Sequence, residues 1–404
     1  MKPVCTINLP TEMSNLETRK IFRILGKDSV RFVGGCVRNA LLGEVIGDID
    51  LATSLPPQNV TERLLKNGIK SIPTGIQHGT VTAVINGKSY EITTLRIDMD
   101  TDGRHASVTF SADWQEDAKR RDFTMNALYA DMDGHVYDPL GSGISDLKQR
   151  KVKFVGDPYL RIKEDYLRIL RFFRFHTQYG KGRINAKGYR ACLDLKDGLK
   201  SLSKERVTQE LSKILLSPYA VRGLNILTSC DLLPFLFRQS FEPKAFQRLI
   251  DRGTEDVDTA LVGRLILLSG ASPKTFEMIA KSLVLNKNQV RLLARATTVK
   301  IKTIRIDLLN VRKWMVYDGG AQCRLRLDLA YAYGRLNLSE HRRFVEGVIE
   351  AGIPDFPIKG GDLSRKGYQG PALGEELDRL KRLWIQSGFL KSREELISAI
   401  RAKA

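Results

Sequence analysis

The run Phe32-Val33-Gly34-Gly35-Cys36-Val37-Arg38, followed ten residues on by Asp48-Ile49-Asp50, constrains this chain more than any other feature. A Gly-Gly turn between a strand and a helix lets backbone N–H groups come close to phosphate oxygens. A D-x-D pair on the next strand points two carboxylates to one face, because strand side chains alternate with period two. Such carboxylates repel each other unless a cation sits between them, and Mg²⁺ favours oxygen ligands together with substrate phosphates. Each half occurs by chance in many proteins. The ordered pair, with an arginine between, reads as a metal-dependent phosphate site.

The surrounding pattern is mixed α/β over residues 1–145. Residues 1–25 read as a lead-in helix, with Leu16, Ile21, Ile24 and Leu25 as its apolar stripe. A strand follows at Val30 to Val33, then a helix from about Cys36 to Leu42 ended by Gly43, then the D-x-D strand from Asp48 to Ala52. Pro56-Pro57 opens a helix stopped by Gly68. Thr80 to Ile85 and Ser89 to Leu95 form a hairpin about Asn86-Gly87-Lys88. Residues 97–110 read as a polar loop that regains β character at Val108, and a helix is expected to start near Asp122. From about Pro158 onward the pattern is almost wholly helical, so the fold class is α+β with an all-α array behind the head.

Charge divides along the same line. Residues 1–150 hold 18 Lys and Arg against 19 Asp and Glu, whereas residues 151–404 hold 47 against 27. A near-neutral chemical head with a strongly basic remainder points to a polyanionic partner, most commonly nucleic acid. No 18-residue apolar run, secretory leader or basic amphipathic helix stands out, so neither a membrane span nor a membrane-surface role is expected. Five scattered cysteines form neither a disulfide framework nor a zinc spacing, which suits a reducing cytoplasm.

Two further clusters carry chemistry. Arg120-Arg121-Asp122-Phe123-Thr124-Met125-Asn126-Ala127 sets two phosphate-binding guanidinium groups before a possible cap at Asp122. Glu164-Asp165 with Arg168, Arg171 and Arg174 makes a basic stripe backed by Leu167, Leu170, Phe172, Phe173 and Phe175. On one helix, Asp165 and Arg168 would be i, i+3 neighbours.

In this order and spacing the three clusters resemble the class II tRNA nucleotidyltransferase and poly(A) polymerase family, the CCA-adding enzymes of bacteria. The resemblance is close over roughly residues 30–180 and continues beyond. It implies that Gly35 and Arg38 bind triphosphate, that Asp48 and Asp50 are catalytic and hold Mg²⁺, and that Arg121, Asp165, Arg168, Arg171 and Arg174 bind nucleotide. Asn39 departs from the family pattern, where an Asp commonly follows the arginine. The resemblance also implies a head over 1–145, a base-recognising neck over 146–225, an RNA-binding body over 226–320 and a tRNA-binding tail over 321–404. Loop 97–110, with Asp102 and Arg104, resembles the flexible loop needed for the final A. The Gly-rich turns within 355–389 resemble the part that holds the tRNA elbow.

Residue chemistry supports the nucleotide choice independently. Cytosine and adenine each present an exocyclic amine beside a ring-nitrogen acceptor, which a carboxylate and a guanidinium can read together. Guanine and uracil present the opposite pattern. One Asp165–Arg168 pair therefore accepts C and A and rejects G and U without a template. The expected activity is addition of CCA to tRNA from CTP and ATP, with pyrophosphate released. A poly(A) polymerase shares the head and neck chemistry, and an inactive RNA-binding protein is a reading from another class. Glu91 stands equally open as a third carboxylate or a solvent-facing strand residue. None of the five histidines sits in an His-Asp dipeptide, so an appended metal phosphohydrolase is not expected.

Overall fold

A mixed eight-stranded sheet organises the front of the molecule in this computed structural model, which describes residues 1–101, 106–232, 242–253, 256–269, 273–297 and 301–401. The chain separates into two units, Met1–Glu210 and Leu211–Ala404. The strands of the first unit are β1 (Cys5–Thr6), β2 (Val30–Val33), β3 (Asp50–Thr53), β4 (Lys70–Gly75), β5 (Thr80–Ile85), β6 (Lys88–Thr94), β7 (Arg96–Thr101), β8 (Ala106–Phe110), β9 (Tyr129–Ala130) and β10 (His135–Tyr137). Their order in the large sheet is β1-β10-β9-β2-β3-β6-β5-β4, and β7 pairs only with β8.

Local chemistry sets most of these elements. Helix α1 (Leu16–Leu25) starts at Asn15, whose side chain accepts from the Thr18 N–H. Helix α2 (Gly35–Leu42) ends at Gly43 in the left-handed conformation. Pro57 opens α3 (Pro57–Lys66). Asn86 and Gly87 both take positive φ, 51° and 76°, as the tight turn between β5 and β6 requires. The parallel pairing of β3 with β6 places Asp50 opposite Glu91.

Several expectations need correction. Residues 1–15 are not helical: Cys5–Thr6 pairs with β10, and Leu16 is 83 % exposed rather than part of the buried stripe. That stripe is Thr18, Ile21, Phe22 and Leu25. Strand β4 went unread because it is an edge strand with little buried alternation and a Pro73, which an edge tolerates. The D-x-D strand begins at Asp50, leaving Asp48 in the approach to it. Arg96–Thr101 pairs with Ala106–Phe110, Asp98 standing opposite Val108, where the polar composition suggested a loop over 97–110. Asp102 and Arg104 lie outside the described residues. No helix begins at Asp122: α4 (Trp114–Lys119) precedes it, and only a short 3-10 turn, Thr124–Asn126, follows.

Behind the sheet lie α5 (Gly143–Lys148), α6 (Pro158–Glu164), α7 (Leu167–Tyr179), α8 (Ala186–Asp194) and α9 (Lys204–Leu216). An aromatic cluster joins α7 to the segment that follows α4. Phe123, fully buried, lies 5.0 Å from Phe154 and 5.2 Å from Phe175 between ring centroids, and Phe154 stacks on Phe172 at 5.2 Å. Such contacts add to the area that each ring buries.

The second unit is helical throughout its described residues, with helices such as Pro243–Arg252, Val257–Ser269, Gly320–Ala332 and Gly370–Gln386. Its buried Asp328 accepts from Arg252 at 3.0 Å and lies 2.8 Å from His341. Trp384, Leu380 and Ile385 anchor a separate C-terminal core. Among the described residues no helix is long and apolar enough to cross a membrane.

Phe123→Ala should lower the stability of the first unit by about 3–5 kcal/mol, the usual cost of emptying a buried aromatic site. Urea denaturation followed by circular dichroism would measure it.

Candidate active site

At the end of β2 the chain turns through Gly34, with φ 71° and ψ −118°, before α2 begins at Gly35. That backbone conformation disfavours any side chain. A Cβ at Gly34 would also stand 3.7 Å from Arg121 Nη1, so the turn and this guanidinium face each other closely. Asp48, Asp50, Gly35, Arg38, Arg121, Asp165, Arg168, Arg171 and Arg174 line one cavity of about 590 Å³, whose lining does not include Glu91 or Glu164. Arg120, Asp122 and Asn126 line it too.

The acidic side of the cavity is crowded. Burial pushes the Asp50 carboxyl above its ordinary range, and the charges of Glu91 and Asp48 push it further, with Arg121 opposing. Strand register thus brings Glu91 to the acid pair, which the sequence left undecided. Carboxylates such as those of Asp48, Asp50 and Glu91 are the donor type that a hard divalent cation favours. A second acidic group, Asp131, Asp133 and His135, sits at the turn between β9 and β10. Its Asp131 oxygens are already bonded by backbone N–H groups, His135 and the Tyr137 hydroxyl.

The basic side is held by partners that sequence reading missed. Asp117, only 1 % exposed, accepts from Arg120 Nε at 2.8 Å, from Arg121 Nη2 at 2.8 Å and from the Tyr129 hydroxyl at 2.7 Å. Burial opposes its ionisation, yet Arg121, Arg120 and Tyr129 outweigh that and hold the carboxyl far below its ordinary range. The i, i+3 and i, i+4 spacing to Arg120 and Arg121 was the available signal. Asp122 is not a helix cap but an arginine anchor. It accepts from Arg171 Nε at 2.9 Å and Arg171 Nη2 at 2.5 Å, and from Asn126 Nδ2 at 3.0 Å. Glu210 on α9 accepts from Arg174 Nε at 2.7 Å. Nothing near Arg174 in the sequence announces a partner 36 residues away.

Asp165 and Arg168 do not share a helix. The chain breaks at Asp165, which is extended with φ −157° and ψ 104°, and α7 begins two residues later. Asp165 Oδ1 accepts from the Leu167 N–H, and Oδ2 pairs with Arg206 Nη2 at 2.8 Å. Arg168 Nη1 donates to Glu164 at 2.7 Å and to the Arg161 carbonyl at 2.9 Å. The break is what lets both side chains line the cavity from adjacent elements.

A glycine turn, an acid-bearing strand pair and a wall of anchored arginines define a nucleotidyltransferase head. Residues 30–153 match the family described as Poly A polymerase head domain, and residues 183–242 match that described as Probable RNA and SrmB-binding site of polymerase A. The CCA tRNA nucleotidyltransferase 1, mitochondrial, of Homo sapiens is 32% identical over 392 residues, spanning 92% of this chain and 86% of the relative. A CCA-adding enzyme of Geobacillus sp. is 42% identical over 207 residues, covering 51% of this chain and 50% of its own. The crystal structure of the Bacillus stearothermophilus CCA-adding enzyme in complex with CTP superposes with a TM-score of 0.79 at 25% identity, covering 98% of this chain and 97% of that one. The chain belongs to the CCA-adding tRNA nucleotidyltransferase and poly(A) polymerase family.

Because the folded pKa of Asp50 is raised, its ionisation above that pKa works against the fold. Asp50→Asn should therefore raise Tm at pH 7.5 in chelator. The gain should shrink as pH falls toward the ordinary carboxylate range, where wild-type Asp50 is protonated too. Calorimetric scans across that pH range check the sign.

Proposed function

We infer that this chain completes tRNA 3′ ends with C, C and A from CTP and ATP, without a template, releasing pyrophosphate at each addition. The observation that carries this reading is the meeting of Asp48 and Asp50 with Asp165 and Arg168 in one arginine-walled cavity. We assign the head to residues 1–145, the neck to 146–225, the body to 226–320 and the tail to 321–404, the basic rear being the tRNA-holding part.

Asp48 and Asp50 would hold two metal ions between them, with Glu91 beside them. Mg²⁺, when bound there, supplies positive charge that acidifies the attacking hydroxyl and neutralises the departing phosphates. The Gly34-Gly35 turn, Arg38 and Arg121 take the triphosphate, since backbone N–H groups and guanidinium forks both match phosphate oxygens. Asp165 accepts from the exocyclic amine of cytosine or adenine, and Arg168 donates to the neighbouring ring nitrogen. Arg171 and Arg174, immobilised by Asp122 and Glu210, keep the nucleotide wall rigid. We assign the chain to a cytoplasmic setting, a reducing compartment in which cysteines stay as thiols.

The purified protein, given Mg²⁺ and tRNA lacking CCA, should extend it by three nucleotides only when CTP and ATP are both present. ATP-only processive tailing would instead make it a poly(A) polymerase, and no incorporation would leave an RNA-binding protein. Asp48→Ala should abolish incorporation while tRNA binding, read by filter retention, persists. Arg168→Ala should lose discrimination among the four nucleotides. Unchanged selectivity in that variant would overturn the base-reading account.

A further inference from the structure

The cavity arginines fall into two kinds. Arg120, Arg121, Arg168, Arg171 and Arg174 each donate to at least one carboxylate, supplied by Asp117, Glu164, Asp122 or Glu210. Arg38, only 6 % exposed, is bonded among the described residues solely to neutral acceptors. Its Nη1 donates to Asn126 Oδ1 at 2.6 Å, its Nε and Nη2 to Asn39 Oδ1 at 3.0 and 2.8 Å, and its Nη2 also to the Tyr179 hydroxyl at 2.8 Å. The Tyr179 ring lies 4.0 Å below the guanidinium carbon. Asp122 attracts it from farther off, but that carboxylate is already committed to Arg171 and Asn126.

A buried cation with no ion-pair partner costs stability unless a ligand supplies the opposite charge. Asn39 is the residue that keeps it so. Its Oδ1 receives two N–H groups of Arg38, as one carboxylate oxygen would, while its Nδ2 donates to the Val45 carbonyl at 2.6 Å. That second bond orients the amide with its oxygen toward Arg38. It also ties the arginine to the loop that leads to Asp48. We propose that Asn39 is a positioning residue that aims Arg38 at the nucleotide's triphosphate while withholding a counter-charge, so that the phosphates themselves become the counter-ion. The inference rests on the reading of this cavity as the nucleotide site, and it assigns to this chain a firmer hold on triphosphate and on leaving pyrophosphate than a carboxylate at position 39 would give.

The test compares wild type, Asn39→Asp and Asn39→Ala for calorimetric binding of inorganic tripolyphosphate, and for KM of CTP and ATP on tRNA lacking CCA. Asn39→Asp should weaken tripolyphosphate binding and raise both KM values by a common factor of about tenfold, equivalent to ~1.4 kcal/mol. The difference should narrow as KCl is raised, because the lost term is a screened charge. Asn39→Ala leaves the cation uncompensated and should lose less. If Asn39→Asp folds poorly, as thermal scans would show, Asn39→Glu offers Arg38 the same charge from a longer side chain and should weaken binding in the same direction. Tripolyphosphate affinity within about twofold of wild type in Asn39→Asp would overturn the proposal. An equal loss in Asn39→Ala would also overturn it, by making the effect one of packing. Failure of the wild type to incorporate CTP or ATP would count against the nucleotidyltransfer reading alone, since the tripolyphosphate comparison stands without turnover.

Discussion

The joint made by Asp122 and Phe123 underlies the architecture of the first unit. Phe123 buries its ring against Phe154, Phe172 and Phe175, while the neighbouring carboxylate grips Arg171 through two nitrogens. The apolar half of this joint supplies the free energy that docks α7 on the sheet. The ionic half supplies direction, because Arg171 Nε and Nη2 converge on the one oxygen Oδ2 of Asp122 while its Oδ1 is held by Asn126 and the Phe123 N–H. Adjacent residues, one pointing to the core and one to the cavity, thereby fix both the position of α7 and the face it presents. Without them the arginine stripe would be a solvated helix surface.

Charge is distributed in the cavity with the same economy. Burying arginines is expensive unless each has hydrogen-bonded partners of opposite sign. Asp122 on the cavity wall, together with Asp117, Glu164 and Glu210, meets that demand, and their oxygens also determine which N–H edges remain to face a ligand. The acid side is left in the contrary condition. Asp50 carries a raised pKa beside Asp48 and Glu91, a strain that a bound cation relieves. A site that is over-determined on its basic wall and frustrated on its acidic wall is built to receive a metal and a polyphosphate together. Its cost in stability is the usual companion of function.

The parts of this molecule that local rules govern could be read directly. The Gly-Gly turn, the Gly43 helix stop, the proline-led α3 and the Asn86-Gly87 hairpin all follow from φ preferences that hold in any context. Readings failed where tertiary pairing outvotes composition. The polar segments Arg96–Thr101 and Ala106–Phe110 become strands because they pair with each other, and Lys70–Gly75 becomes a strand because β5 offers it an edge. Asp165 leaves the helix that its spacing suggested, since its carboxylate is bonded to the Leu167 N–H and to Arg206, far along the chain.

From the amino-acid order alone came the types of group, their sequence and the class of chemistry they suit: paired acids, a phosphate turn, an arginine stripe and a basic rear. Those features are legible because backbone geometry and side-chain chemistry act over a few residues. Only the folded chain decided that Glu91 stands beside Asp50, that Glu210 immobilises Arg174, and that Arg38 meets the neutral partners Asn126 and Tyr179. Each of those outcomes depends on strand register or on helices separated by tens of residues, and electrostatic energy depends on distance in space, of which sequence separation carries no measure.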